Sequence, residues 1–331
     1  MVTTYHMDEL DRELLRLLQR QGFQSSQELA VQLKIGTRTI QRRIKNMRDE
    51  GIFKVIAVPN LVSFGQSAWA KIGIKVDPNC SVKVAHQLAD HPDVYFVAHS
   101  LGTYDIMIAA AFRTLDQLTH FVNNELTRIE GVVSKETMLL VRPKKYYRYL
   151  WPGPLFKDQA EEAIEFQAYY SHYQLVDIDH KILDILMKDG LTRPATIKKQ
   201  LGIAESTVRK RIKYMRDSHS ITLEVVPNKE ILEDEAWATI GINTRYDFDD
   251  KMLDAIVQDP NVYLVSVCLG RFDLVIAARF KNLDLLTQFI SGKLTSIQGI
   301  NSVQTFLHSK PIKYHNIRLG VTKEKVGAIS K

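Results

Sequence analysis

The chain can be laid over itself, and the overlay holds at one offset, 168 positions, from end to end. Leu10-Asp11 falls on Ile178-Asp179, Pro59-Asn60 on Pro227-Asn228, and Leu101-Gly102 on Leu269-Gly270. Trp69 falls on Trp237 and Lys145-Tyr146 on Lys313-Tyr314, with no insertion in between. A fixed offset means that one structural unit is built twice, here over residues 8–148 and 176–316. Two copies are too few for a solenoid, and each has room for two compact parts.

Composition narrows the setting. The 331 residues are 45% hydrophobic and 25% charged, which suits an ordinary globular protein with buried cores. No run of about 18 apolar residues occurs, so no membrane span is expected. Met1 to Leu10 carries charges and no apolar stretch, unlike a secretory signal. Cys80 and Cys268 fit neither a metal nor a redox spacing, so the expectation is a reducing cytoplasm, no metal and no cofactor. A net charge of +6 leans towards a polyanionic partner, but where the charges lie must decide.

Within each copy the apolar period changes. Leu14, Leu15 and Leu18, then Leu29 and Leu33, then Ile40, Ile44 and Met47 recur at helical spacing. Gly22, Ser25-Ser26 and Gly36-Thr37 punctuate them, with Ser and Thr placed to cap the next helix. Beyond Gly51 the pattern turns strand-like. Strands are expected at 67–76, 94–101, 104–112 and 132–141, with helices at 82–89 and 115–129. That βαββαβ order is a ferredoxin-like plan, in which helices cover one face of a four-stranded antiparallel sheet. The fold class is therefore α+β: a three-helix helix-turn-helix domain followed by a ferredoxin-like domain, twice. The expected boundaries are residues 1–60 and 61–148, an aromatic linker at 149–175, then 176–228 and 229–331. Residues 149–175 lie outside the repeat, and the many tyrosines there predict packing rather than a loose tether.

The third helix carries the most information. Ile40, Ile44 and Met47 form an apolar stripe, and the opposite side presents Arg38, Gln41, Arg42, Lys45 and Arg48. A short basic and amide-bearing helix after a tight turn suits the major groove of double-stranded DNA. There Arg grips guanine, Gln adenine, and Lys neutralises phosphate. Thr39 sits near the helix N-terminus, which itself favours phosphate. A basic run is often only a solvated face, but this one recurs on the same stripe as Thr207, Arg209, Lys210 and Lys213. The second tip is less basic, since Arg38 becomes Ser206, and Gly51, the expected helix cap, becomes His219. It either reads another sequence or makes backbone contacts only. Arg43 and Arg211 lie nearer the core, where snorkelling and phosphate contact are equally open.

The turns Leu101-Gly102-Thr103-Tyr104-Asp105 and Leu269-Gly270-Arg271-Phe272-Asp273 join the second and third strands. By themselves they are hairpin chemistry, Gly supplying the turn and Asp bonding nearby backbone. Four features together resemble Lrp/AsnC-type regulators. They are the order of elements, the Leu-Asp that opens helix one, the Thr-Ile/Val-x-x-Arg-Ile-Lys reader helix, and the Leu-Gly-x-Tyr/Phe-Asp hairpin beside a long helix. The likeness covers both copies. It implies sheet-to-sheet pairing of the ferredoxin-like domains and a small effector, often an amino acid, bound near the interface. It points to Gly102, Tyr104 and Asp105 and to Gly270, Phe272 and Asp273. Arg271 is either a carboxylate ligand or a plain surface arginine.

Family members pair to present two readers, so a homo-oligomer or an intrachain pseudo-dimer is expected, with the pairing open to either arrangement. The expected function is a sequence-specific, effector-responsive transcription regulator without catalytic residues. Two rivals stand beside it: an assembly protein with a degenerate reader, and an enzyme. Some siroheme decarboxylases resemble this fold in two related halves, with a His-Asn-Tyr-x-Arg-like segment before the first sheet strand. Neither Pro59 to Ala68 nor Pro227 to Ala236 holds a histidine, tyrosine or arginine. His86, His91, His99 and His120 recur at none of their matched positions.

Overall fold

The computed structural model describes residues 6–21, 25–60, 65–146, 175–218, 220–227, 236–245, 250–309, 311–314 and 317–318. The first repeat runs α1 (Glu9–Gln21), α2 (Ser26–Leu33), α3 (Thr37–Asp49), β1 (Phe53–Pro59), β2 (Ala68–Val76), α4 (Ser81–Asp90), β3 (Val94–Leu101), β4 (Ile106–Phe112), α5 (Leu115–His120) and β5 (Val132–Tyr146). The second runs α6 (Asp177–Leu186), α7 (Pro194–Leu201), α8 (Glu205–Asp217), β6 (Ile221–Pro227), β7 (Ala236–Thr244), α9 (Asp250–Val257), β8 (Val262–Leu269), β9 (Leu274–Phe280), α10 (Leu283–Gln288) and β10 (Ile300–His308). Two short strands follow, β11 (Lys313–Tyr314) and β12 (Ile317–Arg318). Most of the expected aromatic linker, and His219, lie outside the described residues.

Two compact units result, and each takes one part from each repeat. The first holds the two three-helix regions. Leu14, Leu18, Leu29, Ile40, Ile44 and Met47 bury together, as their helical spacing requires. The second region does the same with Ile182, Leu183, Leu186, Ile197, Val208 and Met215. At roughly 1.5–3 kcal/mol for each large side chain removed from water, these stripes outweigh the intrinsic preferences of such short helices. Ser25 caps α2, and its hydroxyl and backbone exchange bonds with the backbone and side chain of Glu28. What local periodicity did not reveal is that β1 and β6 pair antiparallel across the repeats, Phe53 opposite Pro227 through to Pro59 opposite Ile221.

The second unit holds two ferredoxin-like regions, with sheets ordered β5-β2-β4-β3 and β10-β7-β9-β8, every pair antiparallel. Alternation along β2 sends Ala70, Ile72 and Ile74 into the core shared with Val84, Leu88, Leu118 and Phe121 of the covering helices. The expected long helix at 115–129 is α-helical only to His120. Its turns widen to π-helical over Phe121–Glu125 and tighten again at Leu126–Arg128. The two sheets meet at both edges. β5 pairs β8 from Leu139 opposite Leu269 to Tyr146 opposite Leu264, and β3 pairs β10 at Ser100 opposite His308 and Leu101 opposite Leu307. Among the described residues the pairings of eight strands thereby form a closed circuit, with β11 and β12 branching from β3 beside its short contact with β10.

The inner faces of the ring hold an unexpected polar group. Lys71 Nζ donates to Thr239 Oγ1 at 2.9 Å, and His308 Nε2 lies 2.8 Å from the same oxygen. The Lys71 amine also sits over the Phe96 ring, 4.9 Å from its centre. Burial pulls this amine from 10.5 down to about 7 and holds the His308 imidazole well below its usual 6.5. Between about 7 and 10.5 the unfolded chain then binds the proton that the folded chain has lost, so stability rises with pH across that window. The limiting slope from one such group is about 1.4 kcal/mol per pH unit. Melting the chain over a pH series should show this rise, and Lys71→Met should flatten it. Parallel curves for the two proteins would refute the assignment.

Candidate nucleic-acid interface and sensing turns

Helix α3 turns its buried stripe of Ile40, Ile44 and Met47 inward and leaves Arg38, Gln41, Arg42 and Lys45 exposed, with Thr39 partly covered. Its first turn holds no acidic residue, and Gly36 precedes it without a side-chain cap. The positive end of the helix dipole is therefore left to an anion. Gly51 follows the helix at φ 69, the left-handed conformation expected of its cap position.

Two arginines of this helix are already engaged. Arg43 Nη1 bonds Asp8 at 2.7 Å and the buried Asp11 at 2.8 Å, which ties α3 to the start of α1. The Asp11 backbone amide, and after it the Arg43 guanidinium, holds the Asp8 carboxyl below its ordinary value. Arg48, still exposed, lies 3.7 Å from Asp189 in the loop after α6 of the other repeat.

The second reader repeats the frame and changes the tip. Arg211 grips the fully buried Asp179 with two nitrogens, Nε at 2.7 Å from Oδ1. Here Glu205 occupies the first turn and takes Arg209 at 2.6 Å and 3.1 Å. An acid at that end opposes phosphate as much as it occupies the arginine. Lys210 lies over the Tyr214 ring, 5.5 Å from its centre, while Thr207 and Lys213 stay exposed. The ribbon between the readers is tight: Gly190 N donates to Val55 O at 2.8 Å, and a Cβ on Gly190 would come within 2.8 Å of the Ile56 carbonyl carbon.

The sensing turns divide by position. Gly102 and Gly270 are exposed, at φ 108 and 139, at the tips of the two hairpins. Tyr104 and Phe272 are buried between the sheets, where their rings cover Gly73 and Gly241; a Cβ on either glycine would fall 2.4 Å or 2.5 Å from the ring. Asp105 accepts from Val76 N at 2.9 Å, and Asp273 from Thr244 N at 2.7 Å, which closes each hairpin onto its neighbour strand. Burial, helped by a hydrogen bond in which Tyr104 donates to Glu136 at 2.5 Å, pushes the phenol up to about 12. Arg271 reaches across the repeats to the same Glu136 oxygen at 3.4 Å. Thus two rings and two carboxylates named from the resemblance are held by the fold, and the glycine tips are what faces outward. Among the described residues no three His, Cys, Asp or Glu gather as a metal site, and no helix is long and apolar enough to cross a membrane.

Comparison with known proteins accords with this architecture. A model of the Lrp/AsnC ligand binding domain matches residues 70–150 and again 238–317. A winged helix-turn-helix DNA-binding model matches residues 7–54, and an AsnC-type helix-turn-helix domain matches 177–216. An uncharacterized HTH-type transcriptional regulator of Pyrococcus furiosus is 34% identical over 141 residues, 42% of this chain and 95% of its own. The HTH-type transcriptional regulator FL11 of the same organism is 34% identical over 134 residues, 40% of this chain and 88% of its own. Each relative is thus about one repeat long. Over the whole chain, the siroheme decarboxylase NirDL, solved with an iron-uroporphyrin III analogue, shares the fold at a TM-score of 0.61, 12% identity and 93% coverage of both chains.

Sequence reasoning missed the arginine braces, although Asp11 and Arg43 recur as Asp179 and Arg211 at an unchanged spacing of 32 residues. Removing Asp179 takes a fully buried carboxylate from a guanidinium that is itself only about one-fifth exposed. Asp179→Ala should lower the stability of the reader unit by about 3–5 kcal/mol, and by more than Asp8→Ala, whose carboxylate is largely exposed. Denaturant melts of both variants decide it; equal losses would contradict the difference in burial.

Proposed function

The chain belongs to the Lrp/AsnC family, with its helix-turn-helix and ligand-binding domains present twice, and on that footing we propose that it is a DNA-binding transcription regulator responsive to a small effector. One observation carries the reading: Arg38, Gln41, Arg42 and Lys45 stand exposed on one face of α3, while the neighbouring Arg43 is held back by two aspartates. The helix is braced, and the side chains suited to base edges and phosphates are free to turn outward. The second reader contributes Thr207, Lys210 and Lys213, with Arg209 partly neutralised by Glu205. The two half-sites it favours are therefore unequal.

The effector is proposed to be of the amino-acid class, met at the turns of Gly102 and Gly270, where Tyr104, Asp105, Phe272 and Asp273 shape the backbone behind the tips. A transcription regulator of this kind works in the cytoplasm.

Binding to DNA fragments across a salt series tests the reading. With several phosphates neutralised, affinity should fall by orders of magnitude between about 50 mM and 200 mM salt. Arg42→Ala should lose about 1–3 kcal/mol of discrimination at one base pair, and Lys210→Ala should weaken all sequences alike. A salt-independent isotherm, or an Arg42→Ala protein with the parent's preference at every base, would overturn the assignment.

The likeness to NirDL over 93% of the chain supports a second reading, a siroheme-binding enzyme of the same fold. Titration with siroheme separates the two: a bound Soret band in a chain without DNA affinity favours the enzyme.

A further inference from the structure

When two equivalent parts pair about a twofold axis, a residue on the axis faces its own counterpart. Both units have such a position. In the closed ring Lys71 meets Thr239, the residue 168 positions on. In the reader ribbon Ile56 stands directly opposite Glu224, again its equivalent at the same offset. The charged member is buried each time, Lys71 at 3% exposure and Glu224 at 2%. We propose that these unlike axial pairs are a pairing code: the ring axis rejects first with first, the ribbon axis rejects second with second, and only the first repeat with the second is accepted at both.

The two axes exclude opposite errors. If two first repeats paired through their sheets, Lys71 would meet Lys71 in a space lined by Phe96 and other apolar groups. The amine would lose the Thr239 oxygen that now receives it, and Leu140, the equivalent of His308, would stand beside it. Two ammonium groups forced together out of water are strongly unfavourable, and neutralising them costs free energy at neutral pH. If two second repeats paired through their ribbons, Glu224 would stand opposite Glu224. Directly opposed like charges destabilise an antiparallel ladder even at a surface, and here both would be buried. Only first with second satisfies both axes.

The rim of the ring adds the same preference independently. Arg271 faces Glu136 at 3.4 Å across the repeats, and at the symmetry-related place Gln304 donates to Thr103 at 2.8 Å. A first-with-first ring would have two Glu136 side chains opposite threonine. A second-with-second ring would have two Arg271 side chains opposite glutamine. The mixed ring alone sets the Glu136 carboxylate against a cation.

The test uses full chains in matched pairs. Thr239→Lys sets lysine against lysine in the ring, and Lys71→Thr is its mate. Ile56→Glu sets glutamate against glutamate in the ribbon, and Glu224→Ile is its mate. Each charged variant alone should melt about 10 °C below the parent, whereas the two mates alone should melt near it. Refolding a charged variant with an equal amount of its mate should produce a complex of two 37.9 kDa chains, each repeat exchanged with the other chain's, that melts near the parent temperature. This rescue is readable even if a charged variant fails to fold by itself. Charged variants that melt with the parent, or mixtures that behave as the sum of their components, would overturn the proposal.

Discussion

A four-stranded sheet with helices on one side has a second face to hide and two edges to pair. Left alone, each ferredoxin-like region would expose Trp69 or Trp237 and an unpaired β3, β5, β8 or β10. Exposed apolar faces and open edges invite association with whatever is near. The second copy in the same chain meets both demands, since β5 runs along β8 and the end of β10 meets the end of β3 to close the ring. The reader regions obey a smaller version of the same rule. β1 alone is an orphan strand after a three-helix cluster, and β6 supplies its ladder. Mutual completion, reader with reader and sheet with sheet, is what the duplicated sequence makes available.

Much of this was legible from local pattern. The 168-residue offset, the helical stripes and the βαββαβ order follow from spacing alone, because the side chains that must be buried recur every second residue or every third and fourth. The ribbon was not legible, since nothing in Phe53 to Pro59 indicates that its partner lies 168 residues on. The engaged state of the turn residues was hidden for a similar reason. Tyr104 packs on Gly73 and Asp105 closes on Val76, contacts made between strands rather than along one. A faint signal existed: a glycine in mid-strand, repeated at Gly241, marks a place where something bulky comes close.

The differences between the copies are concentrated in few places and bear on chemistry. The apolar stripes of α3 and α8 are nearly interchangeable, and both arginine braces persist. The tips diverge, with Thr37 and Gln41 in one answered by Glu205 and Arg209 in the other. The frame that orients a reader has thus been kept while the surface that would touch a polyanion has changed. That is the pattern expected where one scaffold serves two recognition tasks of unequal strength.

In a symmetric dimer every substitution is made twice, and a residue on the axis must tolerate its own image. Lys71 against Thr239 violates that condition, and so does Ile56 against Glu224. Once both halves share a single chain, each gene-level change alters only one side of the axis, so the halves can drift apart at positions that symmetry would have frozen. Fusion also fixes their ratio at one to one without any control of expression. The duplicated chain has the freedom of a heterodimer and the inheritance of a single gene.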